Sequence, residues 1–333
     1  MDVMEFTQVI PRIRVLETRL LDKAKIDRMI DSNSAQEALK VLQETEYANV
    51  MINVKKTEDY EEMLSAELKR VYHEAYDMSP LKSLVDIMSI KYDYHNIKVM
   101  LKGMFLKKDF SYMLIPVGMI EVSKLKLSID TNSLTDFNPI MRKGIEVAID
   151  DFNAKGDPQR IDIILDKAMF EEMVEIAKKL EDDFTRKYVE VLIDLTNIKS
   201  LLRVKKQNKG REFFLTLVIN GGSIDNDKLV TLLNDAVENV SSKLSYTNYA
   251  EVLKQGIDQY VVSGSASLLE KLIDNYIMGM MKNAKMITSG GEPLLAYIYA
   301  KETEIKVVRI IMVGKLNNIT EEVIRERLRD IYV

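Results

Sequence analysis

Apolar residues recur at helical spacing along most of this chain. Ile10 to Leu21 predicts a helix with Ile13, Leu16 and Leu20 on one face, and Lys25 to Ile30 a short helical piece. Ser34 reads as an N-cap because Glu37 follows three residues later in the capping-box pattern, opening a helix that turns Ala38, Leu39 and Leu42 inward. Tyr47 to Val54 reads as a connection that can run extended. Thr57 is expected to cap a helix from Glu58 to Tyr76, with Met63, Leu64, Leu68, Val71 and Tyr72 as its apolar stripe. Pro80 suits the first turn of the next helix, which runs to about Leu106 and carries Ile90, Tyr94, Ile97 and Leu101 on one face.

Further on, Pro139 to Asn153 and Pro158 to Lys209 read as helical. Residues 159–209 contain no Gly or Pro, and a single helix of that length would reach ~75 Å at 1.5 Å per residue. A bend or break near Asp182-Asp183 is therefore expected. Helices are expected near Asp225 to Lys243, Asn248 to Gln255, Ser267 to Ala284, Pro293 to Val313 and Thr320 to Tyr332. Ser289-Gly290-Gly291-Glu292-Pro293 is the one sharp turn among them.

One polar marker recurs inside this pattern. Lys91-Tyr92-Asp93-Tyr94-His95-Asn96-Ile97-Lys98 returns as Ile193-Asp194-Leu195-Thr196-Asn197-Ile198-Lys199, and more weakly as Lys301-Glu302-Thr303-Glu304-Ile305-Lys306. Lys98, Lys199 and Lys306 thus lie about a hundred residues apart. A second marker keeps step: Gly118-Met119-Ile120-Glu121-Val122-Ser123-Lys124-Leu125 matches Gly222-Ser223-Ile224-Asp225-Asn226-Asp227-Lys228-Leu229, with Gly314-Lys315-Leu316 as a looser third copy. Two markers in the same order predict three helical repeats, at 1–118, 119–221 and 222–333. The apolar face Ile90, Tyr94, Ile97, Leu101 has counterparts in Val191, Leu195, Ile198 and Leu202. Between them sit Asp93 with Asn96 and Asp194 with Asn197, which either bridge neighbouring helices or stay solvated.

Composition narrows the class. Thirteen Gly and 6 Pro in 333 residues is about half the usual share, which favours long unbroken helices. The absence of Cys excludes disulfides and thiolate metal sites. The opening Met1-Asp2-Val3-Met4-Glu5 is acidic and does not read as a secretion signal, and no apolar run is long enough to span a bilayer. A net charge of −5 argues against nucleic acid as the main partner. One basic patch, Arg203, Lys205, Lys206, Lys209 and Arg211, fits a helix C-terminus before Gly210, or a contact for an acidic protein.

Catalytic patterns are missing. No phosphate-binding loop and no G-x-G-x-x-G occurs, Gly290-Gly291 being followed by Glu292-Pro293. The two histidines, His73 and His95, lack metal-ligand spacing and read as surface or boundary residues. Met278, Met280, Met281 and Met286 fit a helical core, or an adaptable contact surface. Three similar helical bodies without a catalytic, cofactor or metal site read as a scaffold or adaptor.

The C-terminal block Gly291-Glu292-Pro293-Leu294-Leu295-Ala296-Tyr297, Ala300-Lys301-Glu302, Glu304-Ile305, Arg309-Ile310-Ile311, Val313-Gly314-Lys315-Leu316-Asn317 and Ile324-Arg325-Glu326-Arg327-Leu328-Arg329 strongly resembles the C subunits of the prokaryotic A/V-type rotary ATPases, whose counterpart in the vacuolar enzyme is the d subunit. Asp93-Tyr94-His95-Asn96-Ile97-Lys98, Arg14 and Glu17-Thr18-Arg19-Leu20-Leu21 resemble this family too, so the likeness covers the whole length. It implies an all-α, funnel-shaped chain of three similar subdomains around a pseudo-threefold axis. It also implies a cytoplasmic position on the membrane rotor ring (the K/c ring), with the D and F proteins of the central stalk received in the funnel. No nucleotide, nucleic acid or cofactor would be bound. On this resemblance Asp93, Asn96, Lys98, Asp194, Asn197, Lys199 and Lys306 are candidates for a partner interface or for the seams between repeats. The third copy departs by having Lys301 and Glu304 for Asp and Asn. The alternative is a cytoplasmic helical-repeat adaptor of another complex.

Overall fold

The computed structural model describes residues 3–333; Met1 and Asp2, part of the opening segment considered for a secretion signal, lie outside them. The described residues are all-α, as expected, with no strand among them. In chain order the helices are α1 (Val9–Glu17), α2 (Lys23–Ile30), α3 (Ala35–Leu42), α4 (Tyr60–Met78) and α5 (Lys82–Leu106). Next come α6 (Val122–Asp130), α7 (Pro139–Lys155), α8 (Pro158–Leu180), α9 (Asp183–Lys206), α10 (Arg211–Leu217) and α11 (Asn226–Leu232). The last are α12 (Glu238–Lys243), α13 (Ala250–Ser263), α14 (Ser267–Lys282), α15 (Glu292–Leu316) and α16 (Glu321–Arg327). No described helix is long and apolar enough to cross a membrane.

Contacts divide the chain into two compact units. A central unit comprises Asp86–Val240, and a terminal unit joins the stretch up to Val85 to Ser241–Val333.

In the central unit, helix starts are written locally. Asn138 accepts the amide of Ile140 at 2.9 Å and Asp157 that of Gln159 at 2.9 Å, each with Pro at the first helical position, where no amide partner is missed. The expected break falls at Glu181, whose φ of 49° ends α8, and Asp182 caps α9 by accepting Thr185 N at 2.7 Å. Gly144 of α7 lies directly against Ala168 of α8, where an added Cβ would stand 2.8 Å from the alanine methyl. Phe105 stacks on Phe152 with ring centroids 4.1 Å apart.

The terminal unit is organised by α15, most of whose 25 residues are buried, the charged Lys301 and Glu304 among them. Ile305, Val308, Ile311 and Met312 form one core with Ile26, Met29 and Ile30 of α2, Ala38 and Leu42 of α3, and Met63 and Leu64 of α4. Ser34 caps α3 as expected, accepting Glu37 N at 3.2 Å while the Glu37 carboxylate receives Asn33 N at 2.9 Å.

Several element bounds differ from expectation. The first helix stops at Glu17 rather than Leu21, and the Leu21 amide donates to the Glu304 carboxylate instead of a helical carbonyl. Tyr47 to Val54 is largely a 3-10 helix, Glu46–Asn53, rather than extended. Thr57 lies inside a second 3-10 turn, and Asp59, not Thr57, satisfies the amides of Lys55 and Lys56. Pro80 precedes α5 instead of sitting in its first turn. The expected Asp225 to Lys243 helix is two short ones, α11 and α12, and the last helix ends at Arg327.

Candidate functional site

On α5, the four-residue apolar face Ile90, Tyr94, Ile97 and Leu101 is fully buried, so Asp93 and Asn96, the residues just before Tyr94 and Ile97, are carried inward with it. Both are fully buried. They are neither solvated nor linked to a side chain on a neighbouring helix; they hold a loop. Asn96 donates to Ile115 O at 2.8 Å and accepts Ile115 N at 2.8 Å, the paired bonding a strand would offer. Asp93 accepts Met119 N at 2.8 Å and Ile120 N at 3.1 Å. Gly118 is required at this approach, since a Cβ there would stand 2.1 Å from the Asp93 carboxylate.

On α9 the same device is built again. Asn197 donates to Ile219 O at 2.8 Å and accepts Ile219 N at 2.9 Å. Asp194 accepts Ser223 N at 3.0 Å, Ile224 N at 3.0 Å and the Ser223 hydroxyl at 2.5 Å. A Cβ on Gly222 would again stand 2.1 Å from the carboxylate. The two repeated sequence markers are therefore two halves of one clamp, and this is why they recur in step.

Electrostatics around the first clamp are unusual. Burial pushes the Asp93 carboxyl up to about 7, against the two amides that favour its ionised form, and the nearby Glu172 and Asp86 carboxylates add to the rise. Tyr94, on the same turn, donates to Glu172 at 2.8 Å; burial raises both groups.

The third copy is assembled differently. Lys301 and Glu304 of α15 are both buried, and Lys301 Nζ lies 2.6 Å from Glu304 and 2.6 Å from Glu67 of α4. Glu304 in turn accepts Leu21 N at 2.5 Å. Burial works to lower Lys301, but the Glu304 and Glu67 charges outweigh it and hold the ammonium above its ordinary value. Glu67 is also gripped by Arg70 at 2.8 Å; burial works to raise it, and Arg70 and Lys301 together keep it below the usual carboxylate value. Gly314-Lys315-Leu316, the looser copy of the second marker, lies within α15 and forms no clamped loop: Gly314 packs on Ile324, and Lys315 donates to Ser32 O at 2.6 Å.

The three marker lysines do not share one environment. Lys98 pairs with Asp166 of α8, with Lys102 and Asp162 forming a second rung one turn on, at 2.6 Å. Lys306 pairs with Asp274 of α14, which Arg329 also reaches at 2.9 Å. Lys199 is half-buried and lines a cavity of about 310 Å³ together with Asp162, Asp166 and Arg203. In the basic patch, Lys205 reaches the carbonyl oxygens of Leu232 and Leu233 at the end of α11, at 3.1 and 2.8 Å, so it supports a neighbouring helix C-terminus rather than its own. His73 is exposed beside Asp77, and Met278 and Met281 are core residues whereas Met286 is exposed.

Sequence reading missed the buried Glu67 and a set of contacts that fasten the chain's opening helix. Arg14 donates to Ala284 O at 2.9 Å and Ile287 O at 2.6 Å, and Tyr332 donates to Glu17 at 2.8 Å. No periodicity reports partners this far apart in sequence.

Comparison with known proteins agrees with the resemblance seen in the residues. The ATP synthase (C/AC39) subunit family matches residues 9–327. Among curated relatives, the C subunit of the V-type sodium ATPase of Enterococcus hirae is 28% identical over 329 residues, 99% of each chain. The C subunit of the A-type ATP synthase of Methanocaldococcus jannaschii is 28% identical, covering 98% of this chain and 87% of the relative. That of Pyrococcus abyssi is 24% identical, covering 96% and 89%.

Proposed function

Because the chain belongs to the ATP synthase (C/AC39) subunit family, we propose that it is the non-catalytic coupling element of a V/A-type rotary ATPase, carrying torque between the D and F proteins of the central stalk and the membrane rotor ring. In this reading it sits on the cytoplasmic face of the membrane, and the three-repeat funnel expected from the resemblance receives the foot of the stalk. The machine would move protons or sodium ions; the Enterococcus hirae relative is named for sodium.

The observation that carries the reading is the repeated clamp. A part that transmits torque must not yield where one helix bundle hands over to the next. At two successive handovers a buried Asp-x-x-Asn pair fixes the connecting loop by its own backbone. A fully satisfied polar network of this kind gives a stiff, uniquely placed joint, and close-packed helices on either side transmit strain. This supports the seam half of the expectation for Asp93, Asn96, Asp194 and Asn197. Lys98 and Lys306, in ion pairs across helices, belong with it, and Lys199 lines a cavity with Asp162, Asp166 and Arg203.

Extraction of native membranes in mild detergent, followed by pull-down of this chain, tests the proposal. ATPase head and ring proteins are the expected companions, and a different set of partners would favour a helical-repeat adaptor. Calorimetry of the purified chain with ATP is expected to show no stoichiometric heat, and a clear one would contradict the non-catalytic role.

A further inference from the structure

We infer that Arg19–Ile26 is the third copy of the clamped loop, carried at the opposite end of the chain from the helix that holds it, and that its first part, Arg19–Asp22, forms with α1 a strap whose docking on the C-terminal half can open while α2 and the rest of the molecule stay folded.

The sequence equivalence is direct once Glu304 points to it. Leu21-Asp22, followed by Lys25-Ile26, matches Ile120-Glu121 with Lys124-Leu125 and Ile224-Asp225 with Lys228-Leu229. All three segments open a helix: α2, α6 and α11. In two of them the acid caps it, Asp22 accepting Lys25 N at 2.8 Å and Asp225 accepting Asp227 N at 2.7 Å. The apolar residue that ends each motif, Ile26, Leu125 or Leu229, is buried. The clamped amide is equivalent as well, for Leu21 N occupies the place of Ile120 N and Ile224 N.

Where the third copy differs, the differences fit one another. The glycine of the other two is Arg19 here, so no carboxylate can stand where Asp93 and Asp194 stand. Lys301 takes the aspartate position and turns to Glu67 and Glu304, and the longer side chain of Glu304, one helical turn further on, reaches the loop amide instead.

The strap is the looser joint for two reasons. Asp93 and Asp194 each take two successive loop amides, and an asparagine bonds the loop in both directions, whereas Glu304 takes the single amide of Leu21. The central clamps join residues 19 to 30 apart within one continuous helix, loop and helix. The clamp of Leu21 by Glu304 spans 283 residues, so the strap depends on tertiary contacts and on its continuity with α2, whose Ile26 stays in the core with Ile305. The other fastenings of α1, Arg14 to Ala284 and Ile287 and Glu17 to Tyr332, span 270, 273 and 315 residues. When these contacts part together, α1 and the loop up to Asp22 are released as one segment while α2 keeps Ile26, Met29 and Ile30 in the core with α15. Segments that can part in this way form the low-stability end of a fold.

Native-state hydrogen exchange on the full-length wild-type chain tests this without any substitution. The amides of Leu21 and α1 are expected to exchange as one group, at least tenfold faster than those of Ile120 and Ile224 and at denaturant concentrations too low to unfold the molecule. Glu304→Gln should speed exchange at Leu21 by a further tenfold and leave Ile224 unchanged; Asp194→Asn should do the reverse. Equal protection of Leu21 and Ile224 in the wild type would overturn the inference, as would exchange of Leu21 only through global unfolding.

Discussion

The two compact units solve one problem with different chemistry. In the central unit, loops are held by Asp-x-x-Asn clamps that bond backbone directly, at glycines that let the carboxylate approach. In the terminal unit the equivalent position is a buried ion network, Arg70–Glu67–Lys301–Glu304, that reaches the loop through one amide. A neutral or singly charged clamp needs only local backbone to satisfy it. An ion network needs every member present, because each charge is tolerable only while its partners neutralise it.

That contrast orders the expected effects of substitution. Lys301→Met should be the most damaging, leaving Glu67 and Glu304 buried with one fewer cation, at about 3–5 kcal/mol in chemical denaturation. Adding Glu304→Gln to it should recover part of the loss; a further additive loss would mean that the network is not a unit. Asp194→Ala should cost about 2–4 kcal/mol, by leaving the amides of Ser223 and Ile224 without their acceptor. Gly118→Ala should cost about 1–3 kcal/mol, since the new methyl meets the Asp93 carboxylate, and an unchanged denaturation midpoint would show that the loop is free to shift.

The pH dependence separates the clamps further. Asp93, pushed up to about 7 in the folded chain, binds a proton there that the unfolded chain has released above about pH 4. Its contribution to stability is therefore fully present below about pH 4 and is lost as pH rises through about 7. Urea midpoints measured at pH 5 and pH 8 should show the wild type losing on the order of 1 kcal/mol more than Asp93→Asn over that interval. A wild type that gains relative to the variant would reverse the assignment. The smallest effect is expected at Lys98→Met: Asp166 is 46% exposed, so breaking the pair should cost under about 1 kcal/mol.

How far the sequence can be read follows from the same contrast. The central clamps are visible as two markers in step, because helix, loop and glycine lie within about thirty residues of one another. The apolar faces of α5 and α9, the Ser34 cap and the break at Glu181 are visible for the same local reason. The third clamp is hidden because its halves sit at opposite ends and three of its key positions are substituted: Arg19 for Gly, Lys301 for Asp and Glu304 for Asn. What the clamped residues do is harder to read than where they recur. A polar pair beside an apolar face looks the same in sequence whether it meets water, a helix or a loop. The 3-10 stretch Glu46–Asn53 is hidden too, since its residues pack against α4 rather than following a helical period.

Coupling itself is the decisive quantity. If this chain is removed from the purified complex in liposomes and then restored, ATP hydrolysis and ion uptake can be followed separately. The account predicts that hydrolysis continues without the chain while uptake stops, and that adding the chain back restores uptake. Ion uptake that persists at the same number of ions per ATP in its absence would contradict it.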